Sequence, residues 1–265
     1  LPIRIGEIAH DFRYESRGTL KGIERGRHFC QNDAHLFVTP EQIKDEVTKV
    51  VHLIFDTYKD FGITNYRCVL SLRDPANKEK YHDDDEMWNT AEGALRDIMD
   101  SLGLEYTEEI GEAAFYGPKL DVNVQPAVGN EITLSTCQLD FCLPAKFNLY
   151  YIDKDGEKKT PVVLHRAILG SLDRFMAYIL EETKGNLPTW LAPVQTRVMP
   201  VKTDDEALNA YAKEVYDTLM ENDIRVELDD RAEKLGYRMR DGQIQKVPYL
   251  PVSYTHLRAH ETPEH

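Results

Sequence analysis

In the stretch FCQNDAHLF, Phe29, Gln31, Asp33 and His35 alternate with Cys30, Ala34 and Leu36. On a strand, successive side chains point to opposite faces, so with Arg25 and Arg27 the odd positions form a polar face and the even ones a core face. A buried polar group without a partner costs roughly 1–3 kcal/mol, so the odd face must meet water or a ligand. Three other segments repeat the pattern: Arg13 with Glu15, Lys119 with Asp121 and Asn123, and Thr136 with Gln138 and Asp140. If these strands are neighbours, their polar faces make one floor suited to a zwitterionic, phosphorylated ligand. Arginine forks grip phosphate oxygens, and a carboxylate such as Asp33 grips an ammonium. The alternative is an antiparallel sheet with one wetted face. His35 and His165 stand at polar positions among apolar neighbours, and neutral imidazoles suit zinc, although two ligands are one short of the usual three. Gly170 to Arg174 opens a helix after a strand, where free N–H groups and Arg174 can receive an anion.

The elements that position these groups follow from periodicity. Residues 3–15 and 25–38 are expected to form an antiparallel hairpin around a loop from Ser16 to Glu24. Thr39, Pro40 and Gln42 predict a capping box, and the helix beyond it carries Ile43, Val47, Val50, Val51, Ile54 and Tyr58 on one side. A strand at Arg67–Ser71 and a helix with Trp88, Ala91, Leu95, Ile98 and Leu102 are expected as an insertion ending at Gly103. Strands follow at Ala114–Gln125, Ile132–Phe141, Asn148–Ile152 and Pro161–His165, with a turn at Asp153–Gly156. A helix from about Leu172 should face Phe175, Met176, Ile179 and Leu180 inward. After PTWLAP (Pro188 to Pro193) the pattern becomes strand (Arg197–Val201), capping box (Thr203–Glu206), helix (Leu208, Tyr211, Ala212, Val215, Leu219), strand (Ile224–Leu228), basic helix and strand (Val247–Leu250), a small α/β domain. The fold class is therefore α+β: an antiparallel sheet flanked by helices, then a short α/β unit.

With 265 residues, 42% hydrophobic and 29% charged, the chain can bury a sizeable core. No apolar run can span a bilayer and no secretory signal is legible, so a membrane partner is not expected and the cytoplasm is the expected location. Cys30, Cys68, Cys137 and Cys142 contain no C-x-x-C pair and read as structural thiols. The net charge of −14 disfavours broad binding of polyanions, yet two segments, Phe12–Arg27 and Arg231–Lys246, are locally basic and could meet phosphates. The chain opens at Leu1 without Met, inside an expected strand, and is expected to be a fragment.

Five strings, in order, carry a resemblance. FRYE (Phe12 to Glu15) with RGRHFCQNDAHLF resembles motif 2 of class II aminoacyl-tRNA synthetases, and HRAILGSLDRFMAYILEE (His165 to Glu182) resembles motif 3. With FYGPKLDV (Phe115 to Val122), STCQLDF (Ser135 to Phe141) and PTWLAPVQ (Pro188 to Gln195), the chain resembles the threonyl-tRNA synthetase family as far as about Leu250. The resemblance implies an incomplete catalytic domain over residues 1–194, motif 1 being absent. It further implies a truncated anticodon-binding domain over 195–250, with a tail at 251–265 that is expected to be non-native.

It also implies roles. Arg13 would hold the ATP α-phosphate, Glu15 the adenine amino group and Arg25 the γ-phosphate. Phe29 would stack on the base and Arg174 would close from the other side. Gln31, Asp33, Tyr116, Lys119 and Gln138 would line the amino-acid and α-phosphate region, with Arg13, Lys119 and Arg174 catalytic. His35 and His165 would bind Zn²⁺, the third family ligand, a Cys, being missing from this chain. Arg231, Arg240 and Lys246 would touch tRNA. The implied partners are ATP with Mg²⁺, threonine and tRNA(Thr), with a homodimer for the full-length enzyme, and the implied activity is formation of threonyl-adenylate and transfer to tRNA. The rival readings are a class II synthetase for serine or proline, and a synthetase-like module that binds RNA or protein without catalysis.

Overall fold

The computed structural model describes residues 1–127 and 129–254 and the backbone of 257–258. They fall into two compact units, Leu1–Tyr178 and a second beginning at Ile179.

In the first unit β1 (Ile3–Phe12) and β2 (His28–Val38) pair antiparallel from Ile3↔Phe37 to Phe12↔His28. Both are shorter than expected, because beyond Phe12 the chain leaves the ladder for a connection held by a Lys21↔Arg25 bridge. The alternation on β2 is as read: Ala34, Leu36 and Val38 are buried on one face. Thr39 and Gln42 form their capping box, the Thr39 N–H donating to Gln42 Oε1 at 3.0 Å. Helix α1 (Ile43–Asp60) then buries the six residues its spacing nominated.

β3 (Tyr66–Leu72) leads into α2 (Asp85–Ser101), whose N-cap Asp84 accepts from the Met87 N–H and whose buried face includes Met99 in place of Leu102. This segment is no insertion. β3 is part of the main sheet, and β4 (Tyr106–Ile110), not anticipated, pairs parallel with it at the edge. Parallel neighbours require a crossover, and α2 supplies it.

β5 (Lys119–Val124) starts later than expected because Ala114–Gly117 turns back on itself. β6 (Ile132–Asp140) ends where Asp140 Oδ1 accepts from the N–H groups of Cys142 and Leu143, starting the short α3 (Leu143–Lys146). β7 (Tyr151–Ile152) and β8 (Lys158–Lys159) make a small hairpin at the expected turn. β9 (Val162–Ala167) inserts between β2 and β6, giving the order β1-β2-β9-β6-β5-β3-β4, antiparallel except at β3–β4. Helix α4 (Leu172–Glu182) buries Phe175, Tyr178 and Ile179, while Met176 and Leu180 are exposed, so the inward stripe is rotated from the expected one.

The second unit is α/β as read. β10 (Thr196–Pro200) is followed by α5 (Glu206–Glu221), where Asp205 is the cap, accepting from Ala207 N and Leu208 N. The predicted box at Thr203 does not form, because the carboxylate next to the first turn takes its free N–H groups. Ala212 is buried and Tyr211 exposed on α5. β11 (Val226–Leu228) and α6 (Leu235–Ile244) follow. The last predicted strand is displaced: Lys246 turns the chain with φ 59° and the strand forms as β12 (Val252–Ser253), parallel to β10, with β13 (Leu257–Arg258) antiparallel beyond it. Val252 and Ser253 thus extend the sheet into the stretch expected to be tail, and the rest of that stretch after Tyr254 lies outside the described residues apart from the backbone of 257–258. Met199, Val247, Leu250 and Val252 form the core of this unit.

Candidate active site

Sheet register aligns four functional side chains in one row. His35 on β2 pairs with His165 on β9, His165 with Gln138 on β6, and Gln138 with Lys119 on β5. Residues opposite one another share a face, so the polar positions read separately from four strands meet on one surface. One row away, Thr136 and Asp121 pair with each other.

Above this floor lies a cavity of about 360 Å³. Arg13, Glu15, Arg25 and Phe29 enter it from the hairpin, Gln31, Lys119 and Gln138 from the sheet, and Arg174 from the first turn of α4. Glu24, Asp121, Thr133, Thr136 and Ser171 complete the wall and were not nominated as site residues, although the alternation of Asp121 and Thr136 with buried neighbours marked them. Gly170 is required here: its φ is 60° and a Cβ would come within 2.5 Å of Leu134 O. Its carbonyl accepts from the Asn32 N–H at 2.9 Å, tying the start of α4 to β2.

Three guanidinium groups dominate the electrostatics. Burial, then the charges of Arg25 and Arg13, lower the pKa of Arg174 from its ordinary value. Glu15 lies 3.4 Å from Arg25 Nε and accepts from Thr19 Oγ1, and the Arg174 Nε–H donates to the Glu24 carbonyl at 3.2 Å. The Arg13 guanidinium sits 5.4 Å from the centroid of the Phe29 ring. A polyphosphate entering this cavity would replace cation–cation repulsion with charge-assisted hydrogen bonds. Lys119 pairs with Asp121 Oδ2 at 2.6 Å, and Ser71 Oγ donates to the same oxygen, so the ammonium is held in place beside Gln138.

Asp33, Tyr116, His35 and His165 do not line the cavity itself but stand beside it. The Tyr116 hydroxyl donates to Gln138 Oε1, and its ring is 5.1 Å from that of His165. Burial, then the charges of Asp140 and Asp33, push the Tyr116 phenol up to about 12, so it remains a hydrogen-bond donor at neutral pH. Asp33 Oδ1 accepts from the Ala34 N–H at 2.9 Å.

His35 and His165 meet edge to face with centroids 4.7 Å apart. His165 Nε2 is 2.9 Å from the buried Asp140 Oδ2. An ionised carboxylate can only accept, so in the neutral ring Nε2 carries the proton and Nδ1 presents a lone pair, the orientation common to metal-binding histidines. The pair fits two corners of a zinc site, and no trio that includes it is found among the described residues.

In the second unit Arg231 is bound to Asp229 and Asp241, at 2.7 and 2.8 Å, while Arg240 and Lys246 are exposed. Arg238, part of the same basic run, is fully buried and donates to the carbonyls of Glu233, Asp229 and Pro200. All four cysteines are free, and burial pushes the Cys137 thiol up to about 12 and the Cys68 thiol up to about 11.

An antiparallel sheet whose polar face gathers arginines from a hairpin and a following helix matches the tRNA synthetase class II core domain (G, H, P, S and T) over residues 1–183, and the chain belongs to that family. Residues 195–252 match an anticodon binding domain. Among individual proteins the chain is 56% identical over 252 residues to threonine–tRNA ligase of Geobacillus kaustophilus, covering 95% of this chain and 38% of that one. It is 55% identical over 249 residues to threonine–tRNA ligase of Staphylococcus saprophyticus, again 38% of the relative, so it spans well under half the length of these curated relatives. The RNA binding domain of threonyl-tRNA synthetase from Cryptosporidium parvum superimposes with a TM-score of 0.87 at 38% identity, over 96% of this chain and 62% of that one. Prolyl-tRNA synthetase from the same organism shares the fold alone, with a TM-score of 0.66 at 16% identity.

Proposed function

We propose that this chain is the catalytic and partial anticodon-binding part of an enzyme that activates threonine with ATP and transfers it to tRNA(Thr). Residues 1–194 would be the catalytic part and 195–250 the anticodon-binding part. In the first step an oxygen of the threonine carboxylate bonds to the α-phosphorus of ATP, the bond to the bridging oxygen breaks, and pyrophosphate leaves. In the second, the 3′-terminal ribose hydroxyl of tRNA takes the threonyl group and AMP departs. No side chain is a covalent nucleophile. Arg13 and Arg174, with Mg²⁺ on the phosphates, stabilise charge at the α-phosphoryl group, and Arg25 holds the γ-phosphate. Glu15 and Phe29 select adenine. Gln31, Tyr116, Gln138 and Lys119 orient the carboxylate against the α-phosphate, and Asp33 receives the ammonium.

Zinc would be held by His35 and His165, the latter oriented by Asp140. When bound, the ion would engage the amino and hydroxyl groups of threonine and so reject valine, a discrimination that an apolar pocket limits to about 10²-fold. The full-length enzyme would work as a cytoplasmic homodimer, with Arg240 and Lys246 facing tRNA and Arg231 held by Asp229 and Asp241 beside them.

What carries this reading is the convergence of Arg13, Arg25 and Arg174 on a cavity whose floor continues into the Gln138 and His165 row. ATP–pyrophosphate exchange by the full-length protein, with threonine, serine and proline in parallel, is the test. Exchange with threonine is expected. Exchange with serine or proline alone would reassign the substrate, and tRNA binding without any exchange would make this a non-catalytic module.

A further inference from the structure

We propose a second metal site, at His10, His28 and Cys30 on the open end of the β1–β2 hairpin, that takes Zn²⁺ or a divalent ion of similar softness. It is distinct from the His35 and His165 pair. Cys30 and His28 have the opposite parity on β2 from His35, and His10 faces Cys30 directly across the ladder, so the three lie on the sheet face that also carries Ala34 and Leu36. Their ligand atoms lie within 4.8 Å of one another, the only such trio of His, Cys, Asp or Glu among the described residues.

The spacing is that of a coordination sphere. His10 Nδ1 is 3.1 Å from His28 Nε2 and 3.4 Å from Cys30 Sγ. A tetrahedral zinc with bonds of about 2.0–2.1 Å to nitrogen and about 2.3 Å to sulfur separates its ligands by about 3.3 Å for N···N and about 3.6 Å for N···S. Both separations from His10 therefore lie within a few tenths of an ångström of these values, and closing the third, between His28 and Cys30, from within 4.8 Å completes the sphere.

The positions are set by the fold rather than by a loop. His10 and Cys30 are register partners, and His28 stands two residues further along on the same face, opposite Phe12. The His28 ring is packed by Phe12, with centroids 4.8 Å apart, and is parallel to the His10 ring within 3°. The Cys30 N–H donates to Asp173 Oδ2 at 2.8 Å, which anchors the backbone beneath the thiol. Two imidazoles and a thiolate select zinc-like ions over Mg²⁺ and Ca²⁺, which take oxygen ligands. On binding, the thiol proton passes to solvent. Three protein ligands at a partly exposed site leave the fourth position to water, so the ion would exchange readily. The site clamps the last ladder pair, Phe12↔His28, before the chain departs for the loop that carries Arg13 and Arg25.

Titration of the full chain with Co²⁺ tests this, because a thiolate ligand adds a sulfur-to-cobalt charge-transfer band. One equivalent should give that band, and Cys30→Ser should abolish it. His10→Ala and His28→Asn, with unchanged far-ultraviolet circular dichroism, should each weaken binding by at least about 100-fold, the upper end of what losing a mere supporting residue costs. The double variant His35→Ala, His165→Ala should keep the band. Absence of the band in the unmutated chain, its persistence in Cys30→Ser, or its loss in the double variant would each overturn the assignment.

Discussion

Arginine is used in opposite ways in the cavity of the first unit and in the second unit. In the first, Arg13, Arg25 and Arg174 crowd one cavity with Glu15 and Glu24, Lys119 being paired with Asp121, and burial, then the neighbouring cations, depress the pKa of Arg174. In the second, Arg197 and Arg231 meet Glu227, Asp229 and Asp241, so anions outnumber cations. Arg238 is buried against main-chain carbonyls. The first arrangement stores repulsion that an anionic ligand relieves, whereas the second is complete without one. A cluster of basic residues in sequence is therefore ambiguous until its carboxylates are located.

Replacing Arg174 with Ala in the full-length protein should lower kcat for ATP–pyrophosphate exchange by about 10³-fold, the scale expected for a guanidinium on transferring phosphate. The melting temperature should not fall, since removing one of three mutually repelling cations costs little. A large loss of stability would place Arg174 with the structural arginines instead. Arg238→Met should do the reverse: about 3 kcal/mol of unfolding free energy is lost in urea titration as three carbonyls lose a charged donor, while exchange activity is kept. Arg240→Ala should leave both intact and weaken tRNA binding uniformly, reducing the slope of log affinity against log salt by about 1.

The smallest effect concerns pH. Burial raises the pKa of Asp229, but the hydrogen bond and charge of Arg231 outweigh it and leave the carboxyl below its usual value. A depressed folded pKa stabilises above the unfolded value, about 3.9 for Asp, and that contribution disappears as pH falls through the folded one. Asp229→Asn should therefore be less stable than the parent chain at pH 7 in urea, and the difference should close below about pH 4.

Much of the first unit was legible because burial forces alternation: Gln31, Lys119, Gln138 and His165 declared themselves as polar residues among strand hydrophobes. The stripe on α1 and the capping box at Thr39 were also plain. Other features depend on choices that local pattern does not make. Tyr106–Ile110 is a short, acid-rich strand whose place comes from parallel pairing with β3. Asp205 rather than Thr203 is the cap because the helix starts two residues later, where the Asp205 carboxylate accepts from the Ala207 and Leu208 N–H groups. That Arg231 is paired while Arg240 stays exposed depends on where Asp229 and Asp241 fall in space. The trio at His10, His28 and Cys30 exists only through the hairpin register, and no spacing along the chain announces it.

The transverse alignment of His35, His165, Gln138 and Lys119 makes the candidate site behave like type set in a single line. Strands are spaced about 4.8 Å apart, so each character can be exchanged for another without moving its neighbours. On the proposed reading, substrate preference would therefore change one letter at a time. Sliding β6 by one residue, by contrast, would bring Cys137 and Leu139 to the ligand and drive Thr136 and Gln138 into the hydrophobic interior.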